Sequence, residues 1–208
     1  MCGIIGVTGE ADACELLLSG LELLEYRGYD SAGIAAVDRS SDPATGLLWR
    51  VRAAEHAGSI DHLRSRVVGA PPSIGAAIGH TRWATHGAPT EVNAHPHLDC
   101  TGRTAVVHNG IIENYRDLAA GLAARGHVLV SATDTEVLAH LAEEHIASGA
   151  TLAEAVTRCL GSVRGDFAIA MIHAAEPEVV VVARRTSPLI VGVTGASGIV
   201  CSDVAAAL

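Results

Sequence analysis

The second residue of the chain is a cysteine, and a glycine follows it directly. Processing normally removes an initiator methionine that precedes a small residue, which would make Cys2 the first residue of the mature chain. Its thiol and its own α-amino group would then share one carbon, and an α-amine with a pKa of about 7.7–8.0 can act as a general base. Cys2 is therefore a candidate nucleophile of the kind activated by an N-terminal amine. The alternative is a buried, inert cysteine within a strand.

A second candidate for chemistry is the pair Asn109 and Gly110, which follows an apolar run. A side-chain amide next to a backbone N–H is the kind of donor pair that forms an oxyanion hole. Glycine also lets a backbone approach its surroundings closely. The alternative is an ordinary Asn-Gly β-turn, and the pair alone does not separate the two.

Residues 81–100 form a stretch without a clean hydrophobic period. A connection of about twenty residues inside a compact domain is more often functional than not. Arg82 can hold a carboxylate through two N–H groups while Trp83 covers it. Further along, Asp134 can bind a substrate ammonium or can only complement the dipole of a helix.

Four histidines within and beside this stretch raise the question of a metal site. They are His80, His86, His95 and His97. Their spacing matches no zinc pattern, and no Cys/His ligand set accompanies them. We therefore expect no metal and no other cofactor, with a histidine-rich metal-binding protein as the alternative.

The composition excludes several classes of protein. All 14 basic residues are arginines, so a phosphate-loop lysine, a pyridoxal phosphate Schiff base and a lysine general base are excluded. The net charge of -9 argues against nucleic-acid binding. The five cysteines contain no CxxC pair, and no apolar run approaches the length of a membrane span. We expect a cytoplasmic protein with reduced cysteines and no membrane partner.

Regular elements must hold the candidate residues in place. The sequence predicts nine strands, among them CGIIGVTG, SIGAAIGH and TAVVHNG, and five helices. The helix in residues 132–149 carries a capping-box pattern, Thr133 with Glu136. Strands and helices come in blocks with hairpin-length connections, which favours a layered α+β fold over a parallel βαβ array.

Taken together, these motifs resemble the glutaminase domain of the glutamine–fructose-6-phosphate aminotransferases, which are class II glutamine amidotransferases. The matching stretches are MCGIIG, LEYRGYDSAG, GHTRWATHG, NAHPH, VVHNGIIENY and TDTEV, in family order. The resemblance continues more weakly through SPLIVG and SD. Related class II amidotransferases share the initial CGI and the Asn-Gly pair, whereas RGYDSAG with HTRWATHG is typical of the aminotransferase branch.

The resemblance implies the fold of the N-terminal nucleophile hydrolases, a four-layer αββα sandwich with two antiparallel sheets. It implies that Cys2, exposed by removal of Met1, attacks the side-chain amide of L-glutamine while its α-amine carries the proton. Asn109 and the backbone N–H of Gly110 would stabilise the oxyanion, and water would release glutamate. Arg27 would support the N-terminus.

The resemblance also implies which residues bind glutamine. Arg82 would hold the α-carboxylate and Asp134 the α-ammonium. Thr85 and His86 would line the same pocket, and Trp83 would belong to a mobile loop that closes over the substrate. Glutamine is a zwitterion with a neutral amide tail, so one cation, one anion and an oxyanion hole match its chemistry.

The expected organisation is one glutaminase domain across residues 1–208, without the sugar-phosphate isomerase region that follows in the family. Ammonia would pass to that missing domain, fructose 6-phosphate would bind only there, and the full-length protein is compatible with a homodimer. Two features depart from the family pattern: Thr186 stands where glycine is common, and residues 195–199 replace a charged turn.

Other functions stay open at this point. The domain can belong to a paralogous amidotransferase with another amino acceptor. It can be an N-terminal-cysteine amidohydrolase that acts on a non-glutamine amide. It can also be a catalytically silent module whose site is retained but unused.

Overall fold

The computed structural model describes residues 2–10, 12–54, 59–84, 87–195 and 197–207. The strands are β1 (Gly3–Thr8), β2 (Ser31–Asp38), β3 (Trp49–Ala53), β4 (Ile74–Arg82), β5 (His97–Leu98), β6 (Thr104–Gly110), β7 (Phe167–His173), β8 (Val181–Arg185), β9 (Ile190–Thr194) and β10 (Ser197–Cys201). The helices are α1 (Ala13–Leu24), α2 (Ser59–Arg66), α3 (Tyr115–Ala124), α4 (Glu136–Ala147) and α5 (Leu152–Ser162). Within these described ranges, no helix is long and apolar enough to cross a membrane.

The larger sheet holds the start of the chain at its centre. Its six antiparallel strands have the order β3-β2-β4-β1-β10-β9. In β1, Ile5 lies opposite Gly79 of β4 on one side and opposite Cys201 of β10 on the other. The strand is buried through Val7, because the sheet is covered on both faces. The predicted strand behind Cys2 is confirmed.

The smaller sheet carries the Asn-Gly pair. Its order is β5-β6-β7-β8, and Asn109 of β6 lies opposite Ala168 of β7. In the larger sheet, β4 runs two residues beyond its predicted end, so Arg82 closes a strand instead of lying in a loop. The stretch 81–100 also contains the short strand β5, which the sequence did not predict.

Three apolar clusters separate four layers. One cluster lies between the sheets and includes Ile4, Ile78, Val107 and Ile172. A second joins α1 and α2 to the larger sheet, and a third joins α4 and α5 to the smaller sheet. Each fully buried Leu or Ile contributes about 1.5–3 kcal/mol, so these clusters hold the layers together. The αββα sandwich with two antiparallel sheets is confirmed.

The start of α4 differs from its prediction. The expected capping box of Thr133 and Glu136 is wrong, because α4 begins at Glu136 after Thr135, whose side chain makes no cap. The Glu136 carboxylate instead accepts the backbone N–H groups of Val130 and Ser131, at 2.8 and 2.6 Å.

The reason for this difference is burial. A capping box with the same spacing forms at the solvent-facing start of α5, between Thr151 and Glu154. Glu136, in contrast, is 1% exposed, and a buried carboxylate needs several donors. Burial alone would raise the pKa of Glu136, but its hydrogen bonds, including that of the Ser131 hydroxyl, and the neighbouring His140 imidazole lower it to about 2.

Candidate active site

Cys2 immediately precedes the central strand β1, and both its backbone and its thiol are held. Its carbonyl oxygen accepts hydrogen bonds from Arg27 Nε at 3.1 Å and from Asn109 Nδ2 at 3.0 Å. The Trp83 backbone N–H donates to the thiol sulfur at 3.2 Å. Three segments that are distant in the sequence therefore converge on this residue.

The surroundings of the Cys2 thiol favour its protonated form. Burial raises its pKa above that of a free thiol, and the Trp83 amide with the charges of Arg82 and Arg27 offsets only part of this effect. Because the thiolate is the reactive form of cysteine, attack by Cys2 requires a base that takes its proton.

Arg27 ties the start of the chain to the segment after β10. Its Nη1 lies 2.9 Å from Asp203 Oδ2. The preceding residue, Ser202, donates its backbone N–H to the Ile4 carbonyl and accepts the Ile4 N–H on its hydroxyl oxygen, both at 2.9 Å. Asp203 and Ser202 thus help to position Cys2. Neither residue was assigned a role from the sequence, although SD belonged to the weaker matching stretches.

A buried histidine orients Asn109. His80 Nε2 lies 3.0 Å from Asn109 Oδ1 and 3.0 Å from the carbonyl oxygen of His108. Both oxygens only accept, so Nε2 carries the proton and the amide –NH₂ of Asn109 is directed toward Cys2. Sequence reasoning treated His80 only as a metal candidate and missed this contact.

Gly110 is required by the close approach of β7. Its φ is +128°, and a Cβ at this position would lie 2.0 Å from the Asp166 carbonyl oxygen. No side chain fits there without moving backbone. Gly110 is the last residue of β6, and this end of the strand lies beside Cys2.

A small cleft opens at the thiol. It is lined by Cys2, Arg82, Trp83, His95, His108, Gly110, Thr133, Asp134 and Thr135. A second, larger cleft adjoins it and is lined by Cys2, Arg27, Trp83, Asn109, Gly110, Ile111, Ser187 and Pro188. Cys2, Trp83 and Gly110 border both clefts, so the thiol lies where the two meet.

The smaller cleft carries opposite charges on fixed side chains. Arg82 donates to the carbonyl oxygens of Gly87 and Ala88, at 3.1 and 3.3 Å. Asp134 Oδ2 accepts the backbone N–H of Ile112 at 2.7 Å. A cation and an anion held in one small cleft can bind the carboxylate and the ammonium of an amino acid.

The predicted site residues that the structure describes lie together at the two clefts. Each of the following residues borders at least one of the two clefts: Cys2, Arg27, Asn109, Gly110, Arg82, Trp83 and Asp134. Thr85 and His86 lie outside the described residues. The Trp83 ring is 45% exposed and contacts the Tyr29 ring edge-on, with centroids 5.4 Å apart.

The departure at Thr186 has a backbone cause. Among the described residues, Thr186 is the only non-glycine residue with positive φ, at 69°. A β-branched residue is strained in this left-handed region, by about 1–2 kcal/mol, which explains a preference for glycine here. Its hydroxyl donates to Asp166 Oδ1 at 2.8 Å, which offsets part of the strain. The departures at 195–199 fall in the β9–β10 hairpin, where Ala196 lies outside the described residues.

Next to the site, three imidazoles contact one another in the interior, one pair stacked and the other edge-on. The ring centroids of His80 and His95 are 4.2 Å apart, and those of His95 and His97 are 4.7 Å apart. Burial lowers the pKa of His80 and of His97 to about 3 and lowers that of His95 well below its ordinary value. All three are therefore neutral at physiological pH.

We expect the domain to lose stability as the pH falls from about 7 to about 4. On unfolding, each histidine regains a pKa near 6.5 and binds a proton that the folded state excludes. Because the folded pKa lies below the unfolded one, stability is complete above about pH 6.5 and is lost toward about pH 3, by up to about 1.4 kcal/mol per pH unit per histidine. Urea unfolding at a series of pH values measures this slope.

A matched variant assigns part of the slope. His80→Gln keeps a side-chain N–H donor for the two oxygens and removes one titrating group, so the slope below about pH 6 should decrease by up to one proton. A wild-type stability that stays constant between about pH 7 and pH 5 would show that these histidines do not control it.

Solved structures of amidotransferases superpose on this chain. A glutamine phosphoribosylpyrophosphate amidotransferase from B. subtilis, complexed with ADP and GMP, superposes with a TM-score of 0.76 and 28% identity, over 99% of this chain and 42% of that one. The structure of the allosteric regulatory enzyme of purine biosynthesis superposes with a TM-score of 0.79 and 29% identity, also over 99% and 42%. The architecture is thus that of an amidotransferase with an N-terminal nucleophile fold.

The chain belongs to the family of glutamine amidotransferase domains, which matches residues 80–208. Relatives named glutamine–fructose-6-phosphate aminotransferase (isomerizing) are 51% identical in Streptomyces coelicolor over 99% of this chain, 46% in Thermococcus kodakarensis over 100% and 45% in Escherichia coli K12 over 100%. The chain spans about a third of their length, at 32%, 33% and 32%. The resemblance seen in the sequence is confirmed.

Proposed function

We propose that the chain is the glutamine-hydrolysing domain of a glutamine–fructose-6-phosphate aminotransferase, with Cys2 as its nucleophile. Family membership and the names of the relatives support the reaction class. One observation supports the residue assignment above all others: the Cys2 thiol borders the same cleft as Arg82 and Asp134, and Asn109 is hydrogen-bonded to Cys2.

In the proposed mechanism, glutamine binds as a zwitterion. Arg82 pairs with its α-carboxylate and Asp134 with its α-ammonium, which directs the side-chain amide toward the thiol. Thr85 and His86 complete this pocket, and Trp83 covers it. Such charge-assisted hydrogen bonds are worth about 1.5–3 kcal/mol each, so the pair gives both affinity and orientation.

The first chemical step forms a carbon–sulfur bond. Removal of Met1 frees the α-amine of Cys2, which takes the thiol proton as the sulfur attacks the amide carbon. Asn109 Nδ2 carries a second N–H besides the one used by the Cys2 carbonyl, and this N–H and that of Gly110 stabilise the oxyanion. Because burial raises the pKa of the Cys2 thiol, the attack requires such a base.

The second step breaks the carbon–nitrogen bond. The α-ammonium returns its proton to the leaving nitrogen, ammonia departs and a thioester of Cys2 remains. Water, deprotonated by the same α-amine, then attacks the thioester and releases glutamate and the free thiol. Arg27 holds the chain end in place through both steps by its hydrogen bond to the Cys2 carbonyl oxygen.

The destination of the ammonia is proposed from the relatives. Residues 1–208 would form one domain, joined in the full-length protein to a sugar-phosphate isomerase domain that binds fructose 6-phosphate. We propose that ammonia leaves through the larger cleft beside Cys2 toward that domain. We also propose a cytoplasmic location and a homodimer of the full-length protein.

Glutamate release from L-glutamine tests the proposal. Chain with a processed N-terminus should yield glutamate and ammonia in equal amounts, and an electrophilic glutamine analogue should modify Cys2 once per chain. Asparagine, shorter by one methylene, should react with a kcat/KM about 10–200-fold lower. No turnover together with no modification would overturn the proposal.

Two further results would redirect it. A preference for asparagine or another amide would indicate an amidohydrolase of different specificity. Release of ammonia by the full-length protein without amination of fructose 6-phosphate would indicate a paralogous amidotransferase.

A further inference from the structure

A group of metal-ligating side chains lies away from the clefts at Cys2. We call it the Cys-His cluster, and it consists of Cys100, His127, His140 and Glu143. Cys100 lies in the turn after β5, His127 follows α3, and the other two lie one turn apart on α4. The cluster therefore joins three segments on the helical side of the smaller sheet.

The four potential ligand atoms have the separations of a tetrahedral site. Cys100 Sγ lies 3.6 Å from His127 Nδ1 and 3.4 Å from His140 Nδ1. Glu143 Oε2 lies 3.2 Å from His127 Nδ1 and 3.3 Å from His140 Nδ1. Zinc bond lengths of about 2.3 Å to sulfur and about 2.0–2.1 Å to nitrogen and oxygen give tetrahedral edges of about 3.5–3.6 Å and about 3.3 Å. All four atoms lie within 4.8 Å of one another.

The outer atoms of these residues have the partners that metal ligands use. His127 Nε2 lies within hydrogen-bond distance of Glu144 Oε1, at 3.2 Å, whereas His140 Nε2 faces Glu136 Oε1 at an ion-pair separation of 3.6 Å, longer than a hydrogen bond. A carboxylate behind a ligating imidazole fixes the ring and leaves its other nitrogen directed at the metal. The Cys100 backbone N–H also donates to Glu143 Oε2 at 3.0 Å, which orients that carboxylate.

We propose that the Cys-His cluster binds one zinc ion. A thiolate, a carboxylate and two neutral imidazoles balance the charge of a divalent cation. One sulfur, two nitrogens and one oxygen in a tetrahedron suit zinc, whereas magnesium and calcium prefer sets of oxygen ligands. Four protein ligands leave no open position, so the ion is structural.

The ion can reach the cluster and has a clear effect when bound. A surface cleft is lined by both Cys100 and His140, which gives an entry path. Zinc would fasten the turn at Cys100 and the loop at His127 to α4, which begins two residues after Asp134. It would therefore stabilise the segment that carries the anionic side of the glutamine site.

The sequence did not predict this site. The expectation of no metal rested on His80, His86, His95 and His97, none of which belongs to the cluster. The four ligands are separated by 26, 12 and 2 intervening residues, which is not a spacing typical of zinc motifs. Only the packing of α4 against both β5 and α3 brings them together.

Metal analysis of the full chain tests the proposal. Protein purified, stripped with a chelator and reloaded with Zn²⁺ should retain about one ion per chain by elemental mass spectrometry. Loading with Co²⁺ instead should give the charge-transfer absorption of a cobalt–thiolate bond and the strong visible bands of tetrahedral coordination. Zn²⁺ should also raise the melting temperature of the stripped protein.

Variants identify the ligands. Cys100→Ser and His140→Gln should each weaken zinc binding about 100-fold or more, and Glu144→Gln, which leaves all four ligands, about 10-fold. Cys14→Ser and Cys2→Ala are matched controls and should bind zinc as the wild type does. The proposal is overturned if the reloaded wild type holds no zinc, or if the thiolate signal is lost in Cys2→Ala and kept in Cys100→Ser.

Discussion

Cys2→Ala should lower the kcat of glutamine hydrolysis by about 10⁴-fold or more. The thiol is the atom that forms the covalent intermediate, and removal of a nucleophile from a unit of this kind costs most of the rate enhancement. The variant should nevertheless fold, because Arg27 and Asn109 bind the backbone carbonyl of Cys2 and not its side chain. Steady-state glutamate release, with glutamine binding followed by calorimetry, measures both effects.

The same prediction has a control at another cysteine and one at the amine. Cys14→Ser removes a half-buried thiol of α1 and should leave kcat unchanged. A chain that retains a residue before Cys2 keeps its thiol but has no free α-amine, so it should be alkylated at Cys2 and still fail to turn over. Intact mass assigns the N-terminus of each preparation. Full activity in Cys2→Ala or in the unprocessed chain would rule out the mechanism.

Asn109→Ala should lower kcat by about 10²–10³-fold with little change in KM. Removal of one donor from an oxyanion hole costs about 2.7–4 kcal/mol in the transition state, whereas Arg82 and Asp134, which bind the substrate in the proposed mechanism, are untouched. Asn109→Asp, nearly the same size, replaces the donor by a negative charge and should be at least as impaired. Saturation kinetics with L-glutamine separate kcat from KM.

His80, which positions Asn109, provides a control variant with a smaller expected effect on kcat. His80→Gln can still donate to Asn109 Oδ1 and to the His108 carbonyl, so its kcat should fall by less than that of Asn109→Ala. In Asn109→Ala the second substitution should have little further effect on kcat, because His80 acts through Asn109. A large rise in KM with unchanged kcat in Asn109→Ala would mean that Asn109 binds the ground state only.

Much of the fold was predictable because its signals are local. The apolar run behind Cys2, the run that leads into Asn109 and the stripe of α1 each bury one consistent face, and the structure confirms these elements. The two-residue strand β5 is too short to show a period. The capping-box pattern at Thr133 misled because a buried Glu136 bonds to the preceding turn, which local sequence does not reveal.

The candidate site was predictable to the extent that a long family resemblance carried it. No single residue identified the site, because Cys2, Asn109 and Asp134 each had an ordinary structural explanation. What the sequence could not provide are contacts across the fold. His80 behind Asn109 and Asp203 behind Arg27 act through pairs that are 29 and 176 residues apart, and their residue types carry no signal of their own.

The pairing of β1 with β10 sets an order of events during synthesis. Strand β1 is made almost 200 residues before its partner β10, and the Arg27–Asp203 contact forms later still. Contacts of such long range close late in folding. A nascent chain that lacks β10 and Asp203 therefore holds Cys2 with only part of its support. Under the proposed mechanism, the nucleophile is fully positioned only after translation of the domain is complete.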